Sequence, residues 1–325
     1  MLGKIGLEEH FAIEETLGPS MGFASARVGF KEKLLDLLEI RLDLMDQYGM
    51  DMMILSLNSP AIQAIYNRQE AIDVAKKAND IMANAFAQKP NRFRGFAALP
   101  MQDPDAAIEE LHRATKELGC VGVLVNGFSQ IDDKDNIVYL DDPRYKTFWK
   151  ELEQSGKPFY LHPRKMHPKN AGLIDGHPWL DGATWGFTVE TATHALRLLS
   201  CGIFDECPDL KILIGHLGET LPFLVGRIDN RMNIVRKAGF GPPAQKPFYE
   251  YMAKNVWLTT SGQFQTAPLL ATMMEFGSDK IMFATDWPFE EVQEAFEWFD
   301  AVPISELDRQ KIGRDNAINF FGLDL

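Results

Sequence analysis

The chain has 325 residues, 46% of them hydrophobic, and a formal net charge of -13, so it can bury a large core but would be repelled by nucleic acid or an anionic membrane surface. No run approaches the ~18 consecutive apolar residues of a membrane span, and the N-terminus lacks a signal-peptide pattern. Three cysteines (Cys120, Cys201, Cys207) are too few and too irregularly spaced for a disulfide framework, so a cytoplasmic protein is expected.

The stretch from Gly3 to Phe11 reads as a short strand, Lys4 to Glu8, that then breaks its apolar pattern. Strand alternation points Glu8 and His10 the same way and Glu9 the opposite way. Lys31 to Tyr48 follows as an amphipathic helix, with Leu34, Leu38, Leu42 and Met45 on one stripe and Gly49 as its stop. Strand-like and helix-like runs then alternate. Met52 to Leu57 leads to a helix from Arg68 to Gln88, and Phe93 to Leu99 leads to Asp103-Pro104, which opens a helix from Asp105 to Leu118 closed by Gly119. The remaining strands are Val121 to Asn126, Pro158 to His162, Lys211 to His216, Val256 to Ser261 and Ile281 to Thr285. Their nearly continuous apolar runs suit parallel strands covered on both faces. Ser305 with Asp308 three residues on reads as a capping box for the last helix. No repeat or linker divides the chain, so eight β-then-α units over residues 1–325 predict a single α/β domain, a (β/α)8 TIM barrel.

Such a barrel carries its active site where strands end at their C-terminal side, and polar residues cluster there. The first strand supplies Glu8 and His10, the fifth ends in His162, the sixth in His216 with Glu219 three residues on, and the eighth leads into Asp286. Imidazoles and carboxylates converging from several strand ends make a divalent-metal site.

Several strings also resemble a known family. Glu-x-His on strand one, Leu161-His162-Pro163, Gly215-His216-Leu217-Gly218-Glu219 and Thr285-Asp286-Trp287-Pro288-Phe289-Glu290 are similar to motifs of the hydroxybenzoate-decarboxylase branch of the amidohydrolase superfamily. The likeness extends to Ile54-Leu55-Ser56-Leu57-Asn58, Val125-Asn126-Gly127-Phe128-Ser129-Gln130, Asp175-Gly176-His177-Pro178-Trp179-Leu180 and Thr259-Thr260-Ser261-Gly262. The resemblance implies one divalent metal per subunit held by Glu8, His10, His162 and Asp286, a hydrogen-bonding His216 supported by Glu219, and a homotetramer. Glu219 has a second reading, as a first-turn acid that complements a helix dipole. The resemblance also places Phe23 and Phe187 in an aromatic pocket and Arg227 in a neighbouring subunit's site, and Asn126, at a strand end, is a candidate ligand contact. Ordinary packing, a turn role and a surface ion pair are the competing accounts of these residues. The chain departs from the family's pattern at Arg164-Lys165-Met166-His167, and Gly226 and Asn230 replace an aromatic and a His.

A site of two imidazoles and two carboxylates suits Mn²⁺ or Zn²⁺, and no organic cofactor is expected. It would bind a small aromatic acid through a carboxylate oxygen and an ortho phenolic oxygen. The expected reaction is reversible, non-oxidative loss of CO2 from an ortho-hydroxybenzoate, 2,6-dihydroxybenzoate before 2,3-dihydroxybenzoate, salicylate or 5-carboxyvanillate. Asp286 is the candidate proton donor, its pKa raised by Glu8 and by the bound anion. Hydrolysis of a lactone or amide on the same scaffold is the rival activity.

Overall fold

The structure, a computed structural model, describes residues 1, 3–24 and 27–325, the side chains of residues 19 and 22–24 excepted. All eight expected strands are present: β1 (Lys4–Phe11), β2 (Met50–Leu57), β3 (Phe93–Ala98), β4 (Gly122–Asn126), β7 (Phe159–His162), β8 (Ile212–Ile214), β9 (Val256–Thr259) and β10 (Ile281–Met282). They pair in parallel in that order, and a bridge between Leu7 and Ala284 brings the last strand back to the first. The strand alternation sorts the core. Ile5, Leu7, Met52, Ile54, Leu124, Tyr160 and Leu213 fill the barrel interior, where the C-terminal segment adds Ala317 and Leu323. The intervening residues Met53, Leu55, Val123, Val125, Phe159, Leu161, Ile212 and Ile214 face outward and are covered by helices.

Two features differ from the sequence reading. The helix expected over Lys31 to Tyr48 is two helices, Phe30–Leu35 and Glu39–Tyr48. Asp36 interrupts it, because its carboxylate accepts from the backbone N–H groups of Glu39 and Arg41 and caps the second helix. Between β4 and the fifth barrel strand lies an antiparallel hairpin, β5 (Ser129–Ile131) with β6 (Asp133–Val138). Its residues Asp133 to Asn136 are exposed and carry no apolar alternation, so no strand pattern marks them. The other punctuation matches expectation. Asp103 caps helix Pro104–Lys116, Gly49 takes a left-handed backbone at its helix end, and Ser305 accepts from the N–H of Asp308; Asn67 adds a cap, to helix Arg68–Gln88, beyond those expected.

His194, on helix Gly186–Ser200, is fully buried and accepts the backbone N–H of Leu140 through Nε2 at 3.0 Å. Burial, aided by Arg197, lowers its pKa to about 3. The unfolded chain binds this proton near pH 6.5 and the folded chain does not, so stability is lost as pH falls from about 6.5 toward 3. The loss is about 1.4 kcal/mol per pH unit within that window. Urea unfolding of the metal-free protein at pH 7.5 and pH 5 should show a loss about 2 kcal/mol smaller in His194→Gln. Equal losses in both proteins would contradict this assignment.

Candidate metal centre and active site

The predicted strand-end residues meet at the C-terminal mouth of the barrel. Glu8 Oε1 lies 3.1 Å from His162 Nε2 and 3.9 Å from His10 Nε2, and His10 Nε2 lies 3.3 Å from Asp286 Oδ1. One ligand atom from each of Glu8, His10, His162 and Asp286 falls within 4.8 Å of all the others. Glu8 Oε1 and His10 Nε2 are buried without any hydrogen-bond partner. Leaving such atoms unsatisfied is costly, and a divalent cation between them satisfies both, so the four residues fit a metal ion.

The surrounding polar groups orient these ligands. Asn126 Oδ1 lies 2.7 Å from His162 Nδ1 and Ser56 Oγ lies 3.0 Å from His10 Nδ1, so in both rings Nε2 is left to face the centre. The Tyr160 hydroxyl, 2.8 Å from Thr259 Oγ1, donates to Glu8 Oε2. Beyond β9, Gly262 has a left-handed backbone, and a Cβ there would come within 3.2 Å of both His216 Cδ2 and Asp286 Oδ2.

His216 stands beside the four, its Nε2 3.9 Å from Glu8 Oε1 and 3.8 Å from Asp286 Oδ2. Its Nδ1 is 2.8 Å from Glu219 Oε1, and Glu219 is buried. Glu219 has a left-handed backbone and precedes the long helix Leu221–Lys237, so the geometry favours a partner of His216 over a first-turn acid.

The electrostatics follow from this crowding. Burial pushes the Glu8 carboxyl up, but His10, His162 and His216 hold it well below the usual carboxylate range. Burial alone would lower His10; Asp286 and Glu8 outweigh it and raise the imidazole to about 9. His162 is lowered by burial, which its contact with Glu8 only partly opposes. The upward shift expected for Asp286 is absent in the free protein. Burial and Glu8 act in that direction, yet the nearby imidazoles of His10 and His216 hold the carboxyl below its ordinary value. The carboxylates thus favour the charged forms of His10 and His216 as they would favour a divalent cation, which would compete with protons for the imidazoles.

The centre opens into a cavity of about 970 Å³ whose walls include Phe30, Phe128, Phe187 and Phe289. Phe289 packs edge-on to His10, with ring centroids 5.4 Å apart. Arg27, Lys134 and Lys165 also line the cavity and bring positive charge into an acidic protein. Lys165, Met166 and His167, where the chain departs from the family's string, are all wall residues, so the departure alters the pocket itself.

Of the ligand-contact expectations that fall on described side chains, only Phe187 reaches the cavity of this chain. The Phe23 side chain lies outside the described residues. Asn126 is not a wall residue: its amide is engaged by His162 and by the Asn58 carbonyl at 3.1 Å, which makes it a positioning group. Asn126→Ala should therefore weaken metal binding about 10- to 100-fold, as loss of a hydrogen bond to a ligating His does. Titration of the metal-free variant with Mn²⁺ checks this, and unchanged affinity would refute it. Arg227 is exposed on helix Leu221–Lys237, makes no hydrogen bond or ion pair among the described residues, and is not a wall residue of this chain's own cavity. Sequence reasoning missed Ser56 and Tyr160 as supports. A signal was present, since each is a polar group on a strand otherwise rich in apolar residues, and Tyr160 is two positions before His162 on the same face.

Residues 33–323 match the family model described as amidohydrolase. A γ-resorcylate decarboxylase of Rhodococcus jostii is 52% identical over 329 residues, covering 100% of this chain and 100% of the relative. Among solved structures, a 2,6-dihydroxybenzoate decarboxylase complexed with 2,6-dihydroxybenzoate superposes with a TM-score of 0.95 at 50% identity, covering 99% of this chain and 100% of that one. A dihydroxybenzoic acid decarboxylase of Polaromonas, with bound manganese and the inhibitor 2-nitroresorcinol, gives a TM-score of 0.94 at 49% identity, covering 99% and 97%. The chain belongs to the amidohydrolase family, in the branch that contains the γ-resorcylate decarboxylases.

Proposed function

We propose that the chain is a metal-dependent carboxy-lyase that converts an ortho-hydroxybenzoate, with 2,6-dihydroxybenzoate as its preferred substrate, into the corresponding phenol and CO2. The observation that carries this reading is the convergence of Glu8, His10, His162 and Asp286 at the floor of an aromatic-walled cavity. Relatives of about half-identical sequence that act on this substrate support it. A divalent cation held by those four residues, Mn²⁺ or Zn²⁺, supplies Lewis-acid charge that keeps the substrate's phenol ionised.

Phe187 and Phe289 flank the ring, and the bound anion next to Asp286 raises its carboxyl from the depressed value of the free protein. Asp286 then delivers a proton to the ring carbon bearing the carboxylate. The bond between that carbon and the carboxylate breaks, its electron pair restores aromaticity, and CO2 leaves. His216, held by Glu219, hydrogen-bonds the substrate and keeps a proton near Asp286.

The outer face of helix Leu221–Lys237 and the turn after it expose Phe223, Leu224, Ile234, Val235 and Phe240 around Arg227. This apolar patch supports a homotetramer in which Arg227 reaches a neighbouring subunit's cavity. Three free cysteines suit a cytoplasmic enzyme.

Headspace CO2 measured against acid release, over 2,6- and 2,3-dihydroxybenzoate, salicylate, 5-carboxyvanillate, benzoate and simple lactones, tests the proposal. CO2 from 2,6-dihydroxybenzoate and none from benzoate is the expected result. Benzoate turnover would refute chelation through the phenol, and acid without CO2 from a lactone would favour a hydrolase.

A further inference from the structure

Glu8 and Asp286, two of the four candidate ligands, have left-handed backbones, with φ of 63° and 62°. Side chains other than glycine rarely adopt this conformation, and it persists only where the surroundings over-determine it. They lie on the seam where the barrel closes, where the regular ladder is reduced to the single bridge between Leu7 and Ala284. The chain neighbours of both residues are tied across this seam. Leu7 N–H donates to the Phe283 carbonyl at 3.1 Å, and His10 N–H donates to the Trp287 carbonyl at 2.7 Å.

Between these backbone ties, side chains do the rest. Glu9, fully buried, accepts the backbone N–H of Thr285 at 3.1 Å and its hydroxyl at 2.5 Å, which joins the residue after Glu8 to the residue before Asp286. Arg41, also fully buried, donates from Nη2 to the His10 carbonyl at 2.5 Å and lies 4.4 Å over the ring of Trp287, the residue after Asp286. The seat for Glu9 is made by Gly6, where a Cβ would fall 2.5 Å from Glu9 Oε1. Burying two ionisable groups is a poor way to gain stability, because apolar residues of similar volume commonly do as well. Their placement on either side of the strained ligands gives them a different use.

We propose that Glu9, Thr285 and Arg41 form a brace across the closing seam, positioning residues that keep Glu8 and Asp286 in left-handed backbone and so set the spacing of the metal ligands. The proposal rests on the metal-site reading above.

The test is Mn²⁺ titration of the metal-free chain by calorimetry, with thermal unfolding of the same metal-free samples. The variants are Glu9→Gln, Thr285→Val and Thr285→Ser, with Glu110→Gln as the control. Glu110 is another fully buried carboxylate, bonded to Asn79 and Arg113 away from the seam. Glu9→Gln and Thr285→Val should weaken Mn²⁺ binding about 10- to 100-fold, while Thr285→Ser keeps wild-type affinity. Glu110→Gln should lower the unfolding temperature without changing affinity. Wild-type affinity in Thr285→Val and Glu9→Gln overturns the brace, as does an equal loss in the Glu110→Gln control. If Glu9→Gln does not fold, Thr285→Val decides, since it keeps the buried charges and nearly the same shape. A wild-type chain that takes up no Mn²⁺ or Zn²⁺ overturns the metal reading itself, a result distinct from tight binding that ignores the brace variants.

Discussion

Asp286→Asn is expected to retain its metal and lose CO2 release by about 10²- to 10⁴-fold, the usual contribution of a positioned proton carrier. Glu8 and His10 are wholly enclosed and His162 nearly so, whereas the Asp286 side chain is 14% exposed toward the cavity. It is therefore the carboxyl among the four that a substrate ring can approach. Asparagine keeps an oxygen where Asp286 Oδ1 faces His10, so coordination survives, but its amide cannot carry the transferred proton. The depressed carboxyl of the free protein makes the role depend on substrate: the proton must arrive with, or be captured upon, binding of the anion. Metal analysis alongside single-turnover CO2 release separates the two contributions. A metal-loaded Asn variant with near-normal rate would move the donor role to another group, with His216, 3.8 Å away, the first to examine.

Removal of the metal should abolish turnover and lower thermal stability together. Without a cation, Glu8 Oε1 and His10 Nε2 remain buried and unpaired, so the metal-free chain carries a desolvation penalty that the loaded chain does not. An ion that binds only the folded state, present at 100 times its Kd, adds about 2.7 kcal/mol to folding stability. Dialysis against a chelator, followed by Mn²⁺ titration, should restore both CO2 release and the unfolding temperature at one ion per chain. Full activity in a chain verified to be free of metal would end the metal-dependent mechanism.

Much of this centre is legible in one dimension because barrel geometry turns chain position into spatial position. A parallel strand buried on both faces reads as an apolar run, and a polar residue at its C-terminal end has only the barrel mouth to occupy. Glu8, His10, His162, His216 and Asp286 are each such a break in an apolar run, which carried them to one end of the barrel, while the choice of Glu8, His10, His162 and Asp286 as the metal-holding set came from the family resemblance. The hairpin after β4 was not legible, since its exposed acidic residues follow no period. Nor was the break at Asp36, where a local cap overrides a continuous apolar stripe.

What the amino-acid order determined by itself was therefore the succession of strands and helices, the eightfold barrel, and the gathering of polar strand-end residues at its mouth, because these depend on local periodicity and on one closure rule; the four candidate ligands among them were singled out by the family resemblance. Tertiary structure alone decided that Asn126 lies against the His162 ring, that Phe289 stands against His10, and that Glu9 and Arg41 lie behind the candidate ligands. These are contacts between segments from 31 to 279 positions apart, and their distances are set by how the closed barrel twists, which no local pattern records.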